Sequence, residues 1–108
     1  MDYHIYKVCT ILSQWSEMES VVEGVPNSLF GDLSKRLVNV VLGTQDKNAV
    51  PAELAKKIIY LWRQDQLASP TGIATLLEAA IVVNAEATYS SLDELGLQEV
   101  TVALKSIK

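Results

Sequence analysis

The chain has one cysteine and one histidine, and each scarcity excludes something. The lone Cys9 rules out an intramolecular disulfide and suits a reducing compartment. His4 and Cys9 cannot by themselves supply the three or four ligands of a zinc site, and their spacing does not place them on one helical face. His4 is also the sole imidazole that could serve a cysteine or serine nucleophile. Neither a metal, a cofactor nor an enzymatic activity is therefore expected.

Positive charge is scarce as well. Nine basic residues stand against 13 acidic ones, giving a net charge of −4 at pH 7. That balance disfavours nucleic acid and anionic membrane surfaces as partners. Long hydrophobic runs are missing too. The least charged stretch, residues 68–85, has Glu78 as its only charge and is interrupted by Pro70 and Gly72. A membrane-spanning helix needs about 20 predominantly apolar residues, so a buried helix is expected here. The opening Met1-Asp2-Tyr3-His4 lacks a basic region followed by an apolar one, so no signal peptide is expected and the cytoplasm is the expected location.

What the chain does have is apolar content. Hydrophobic residues make up 49% of the 108, charged residues 20%. That apolar surface must enter a core or an interface. Three prolines and five glycines divide it into helix-length pieces.

The first piece, residues 2–23, carries Ile5, Val8, Leu12, Trp15 and Val22 at helical spacing, with Asp2 as a cap and Gly24 and Pro26 as stops. The second, residues 28–42, presents Phe30, Leu33, Leu37 and Val40 or Val41 on one face. Asn27 or Ser28 can cap it, Asp32 and Arg36 are spaced as an ion pair on its solvent side, and Gly43 is placed to end it. The third, residues 51–66, starts with Pro51 in the first turn and aligns Leu54, Ile58, Leu61 and Trp62, with Glu53 and Lys57 as an exposed pair. The fourth, residues 69–87, opens on a Ser69 cap with Pro70 behind it. Gly72 reads as a mild weakness in its first turn, and residues 79–83 are apolar all round, as in a central helix. The β-branched run Ile81-Val82-Val83 leaves a short strand there as an alternative. The fifth begins at Ser91, where Ser91-Leu92-Asp93-Glu94 fits a capping box. Residues 98–104 continue it as helix, with a short strand as the alternative. The expected fold is all-α: one domain spanning residues 1–108, a compact bundle of four to five short helices.

Functional patterns are sparse. The carboxylates Glu17, Glu19, Glu23, Glu78, Glu86, Asp93 and Glu94 read as solvated helix faces rather than an acid–base pair. Ser69-Pro70-Thr71-Gly72 lacks the spacing of a phosphate-binding loop. Residues 73–77 and 85–97 have the outline of a helix-turn-helix. However, residues 78–84 lack a tight turn, and the second helix carries three acids and no Lys or Arg. Lys56, Lys57 and Arg63, with Lys35 and Arg36, make a candidate basic patch. Trp15 and Trp62 lie in apolar stripes and read as core, although Trp62 joins Tyr60, Ile81 and Val82 as a candidate interface residue. The leading expectation is a small non-catalytic interaction module that binds another protein or a second copy of itself. A helix-turn-helix regulator and a small-ligand binder with an interhelical pocket are the alternatives.

Overall fold

The computed structural model describes residues 18–43 and 49–106. Asp2, His4, Ile5, Val8, Cys9, Leu12, Trp15 and Glu17, most of the polar segment 44–49 and Ile107 lie outside the described residues. The described residues form an all-α bundle with no strand among them. The chain enters through α1, helical over residues 18–23, whose end is closed by tight backbone bonds from Gly24 and Val25 to the carbonyls of Val21 and Val22. A 3-10 turn, Asn27–Leu29, leads directly into α2, Phe30–Leu42. Neither Asn27 nor Ser28 caps α2 through its side chain, because the 3-10 turn itself delivers the chain into the helix.

Then follow α3, Ala52–Arg63, α4, Pro70–Glu94, and α5, Gln98–Ser106. Residues 98–106 are thus helix, not strand. Pro51 stands at the N-cap of α3 in extended geometry, one residue before the first turn expected for it. Both ends of the α3–α4 connection are tightly specified. The N–H groups of Asp65 and Gln66 return to the carbonyls of Trp62 and Leu61, closing α3 with the left-handed turn that usually takes glycine; Asp65 holds φ at +56° there. Ser69 Oγ accepts from the Gly72 N–H and donates to the Gln66 carbonyl, so one hydroxyl caps α4 and ties it to the preceding loop.

The largest departure from the pattern is inside α4. Asn84 is non-helical (φ −160°, ψ 92°) and breaks α4 into arms 70–83 and 85–94. The break follows the β-branched run Ile81-Val82-Val83, whose low helix propensity resolves as an elbow rather than a strand. Asn84 Oδ1 accepts from the Ala87 N–H, capping the second arm, while its carbonyl accepts from Thr88 Oγ1. Ser91 therefore opens no helix. It sits in the last turn of the second arm, donating to the Ala87 carbonyl. The turn between α4 and α5 lies at Gly96, φ +76°, where Gly96 and Leu97 N–H groups bond the carbonyls of Asp93 and Leu92. Buried Leu92 and Leu97 accompany that turn, and Thr101 Oγ1 donates to Asp93 Oδ1 across it.

The core gathers Met18, Val21 and Val22 of α1, Leu33 and Leu37 of α2, Ile73, Leu76 and Leu77 of α4, and Val100 and Leu104 of α5. The first arm of α4 is its centre: every residue from Gly72 to Ala80 is buried. The fully enclosed stretch therefore ends before residues 81–83, where the apolar run had suggested it. No helix of the described residues is long and apolar enough to cross a membrane.

Candidate functional site

Two surfaces stand out once the helices are in place, and neither includes a group of His, Cys, Asp and Glu side chains that could hold a metal among the described residues. The first is the outer face of α3. This helix buries Leu54 and Leu61 against the bundle. At 100° per residue, Lys56, Ile59, Tyr60 and Arg63 then point away from it, with Trp62 on the flank. Trp62 is 67% exposed, Tyr60 63% and Ile59 49%. The reading of Trp62 as core is thus overturned. Position 62 lies a full residue step, about 100°, around the helix from Leu61, far enough to leave the buried stripe. Lys56 and Arg63 are exposed on the same face. Lys57 is half-buried beside the stripe. Val82, in the first arm of α4, is exposed, whereas Ile81 packs against the core.

The second surface is a cleft of about 650 Å³ in the elbow of α4. Helix α2 lends it Arg36, Asn39 and Val40; Val83 and Asn84 come from the break itself, Ala87 and Ser91 from the second arm. Arg36 does not pair with Asp32, as its spacing suggested. Its guanidinium instead donates to the Glu94 carboxylate at the end of the second arm, because the elbow brings that carboxylate to α2. A smaller cleft, about 450 Å³, has the opposite character, with Glu19 and Glu23 on its wall. The sequence offered no direct signal for the elbow cleft, since it exists only because Asn84 leaves the helical conformation.

Glu78 also departs from expectation. It is 6% exposed, inside the buried arm of α4, not on a solvated face. Burial pushes its carboxyl above the ordinary carboxylate value of 4.5, since the charged form loses its water. A raised native pKa means that the folded state holds its proton more tightly than the unfolded chain. The stabilisation is present below the unfolded value and is lost as pH rises through the native one. We expect Glu78→Gln to raise the urea midpoint at pH 7, and the gap from the parent to narrow as pH falls toward 4.5. Urea melts of both proteins across that range check it. A gap that widens on acidification contradicts the burial argument.

The segments proposed as a helix-turn-helix are joined by a single non-helical residue, Asn84, rather than by a turn of several residues. The second of them carries exposed Glu86, Asp93 and Glu94. No protein-family model, curated protein or solved structure matches the chain.

Proposed function

We propose that this protein is a non-catalytic interaction module whose outer α3 face docks an acidic, amphipathic segment of another protein. The observation that carries the reading is the exposure of Ile59, Tyr60 and Trp62 on a face flanked by Lys56 and Arg63. Aromatic side chains with an adjacent Arg are the composition of binding hot spots, where a rigid apolar surface and a guanidinium are desolvated together. The cations choose the partner. If two copies met across a two-fold axis centred on Ile59 and Tyr60, Lys56 of each would face Arg63 of the other. Like charges placed so work against association. A partner helix with carboxylates two turns apart, flanking apolar residues, matches the same face with the sign reversed. Two outward cations are also few for nucleic acid, whose affinity grows with the number of phosphates neutralised. Binding through so small a face is expected to be transient.

The test is a titration with a synthetic amphipathic helix of leucine and glutamate, beside its lysine counterpart and a DNA duplex. Spectral changes at the Trp62 indole are expected with the glutamate helix alone, weakening with salt and vanishing in a Lys56→Glu, Arg63→Glu variant. Saturable binding of the lysine helix, or of the duplex in preference to both, sinks the reading. Light scattering that shows a dimer burying Trp62 replaces the foreign partner by a second copy.

A further inference from the structure

We propose that the cleft in the elbow of α4 binds a small aliphatic carboxylate, with the carboxylate on Arg36 and the hydrocarbon against Val40 and Val83. Its volume, about 650 Å³, lies within the range of small-molecule sites. Its lining carries one cation and no acid, on a chain whose net charge is −4. The other cleft of the described residues named above carries two carboxylates, so the difference in sign is local and not a property of the whole surface.

The guanidinium has capacity to spare. Arg36 gives one Nη1 donor to Glu94, whereas an arginine has five N–H donors in a planar fork shaped for carboxylate oxygens. Asn39 lies one turn along α2 from Arg36, on the same side, and adds an amide to that end of the cleft. Across from α2, Asn84 spends its Oδ1 on the Ala87 N–H, which turns its remaining amide capacity toward donation. Arg36 and Asn84 thus offer donors at the polar end, beside a Ser91 hydroxyl whose proton is spent on the Ala87 carbonyl, and a carboxylate has only acceptors to offer. The valines on either side and the Ala87 methyl group are suited to a short chain rather than to a second charge. A bare phosphate would leave that apolar wall uncovered.

Glu94 is what makes the proposal testable, because it occupies the same guanidinium from the rim. The pair is solvent-exposed, so it holds Arg36 only weakly. A bound carboxylate and Glu94 then compete. Two substitutions break one ion pair with opposite expected results. Arg36→Gln removes the ligand's partner, and Glu94→Gln removes its competitor.

The experiment is an NMR titration of the full chain with hexanoate, using hexanol and inorganic phosphate as comparisons. Saturable shifts are expected at Asn39, Val83 and Asn84 with hexanoate, and much weaker ones with either comparison. Glu94→Gln should tighten hexanoate binding by up to about fivefold. Arg36→Gln should weaken it by about tenfold or more. Both variants should keep the parent's spectral dispersion, since the two side chains are at the surface. If the site were only a structural ion pair, both substitutions would shift binding in the same direction, and that result overturns the proposal. So does the absence of saturable shifts at millimolar hexanoate, or phosphate filling the cleft as well as hexanoate does.

Discussion

Gly72→Ala will destabilise the protein by roughly 2–3 kcal/mol, although it replaces a poor helix former with the best one. The propensity argument alone gives the opposite sign: alanine inside a helix gains about 1 kcal/mol over glycine. The position decides otherwise. A Cβ on Gly72 falls 2.5 Å from the Leu67 carbonyl carbon and collides with the carbonyl oxygens of Gln66 and Leu67. These obstacles are backbone, and that backbone is held on both sides. Gln66 donates to the Leu61 carbonyl at the end of α3, and its own carbonyl accepts from Ser69 Oγ. Relief requires moving the whole connection or unwinding the first turn of α4. For a domain of this size, the loss is expected to lower the melting temperature by roughly 10–20 °C. Thermal and urea melts of the variant check it. An unchanged or raised midpoint would show that the loop yields at little cost and that Gly72 is dispensable.

Leu37→Ala is expected to be as severe, at about 2–5 kcal/mol. Leu37 is completely buried on α2, in one core with Leu33 and with Leu76 and Leu77 of α4. Truncation leaves a void in the core of the bundle, and the lost transfer energy adds to the lost contacts. The informative comparison is Trp62→Ala. That substitution deletes more carbon, yet it is expected to change stability by only about 0.5 kcal/mol or less, because Trp62 is mostly in solvent. Equilibrium urea unfolding of the two variants side by side measures the contrast. Equal losses would place Trp62 in the core and remove the premise of the α3 docking face.

Much of the helical framework was legible from local signals. The stops at Gly24 and Pro26, the Ser69-Pro70 start of α4 and the stripe Phe30, Leu33, Leu37 depend on residues within one or two turns of each other. Signals of that range survive whatever the neighbours do. Other local signals were outcompeted. Ser91-Leu92-Asp93-Glu94 has the spacing of a capping box, but Asn84 had already started the helix that contains it. Asp32 has the spacing to pair with Arg36, but Glu94, distant in sequence, reaches the guanidinium. In each case the motif was compatible with the chain, and a partner supplied by the fold determined the outcome.

The scarcity of cysteine sets one limit that composition carries without any fold. An intramolecular disulfide is ruled out by counting alone. Periodicity likewise pointed to the helices of α2 and α3, because an apolar stripe repeats every 3.6 residues whether or not its partner is known, whereas residues 81–83 and 98–104 kept a strand as the alternative until the fold was seen. What those helices bury is another matter. A stripe is wider than the contact it makes, so only packing could leave Trp62 outside while enclosing Leu61. Only packing could bury Glu78 and raise its pKa. The same holds for Gly72, whose need for a bare Cα comes from a loop crossing close by, and for the cleft, which depends on where the elbow at Asn84 sends the second arm. Each of these is a distance between parts of the chain that do not adjoin, and such distances are set when the helices pack.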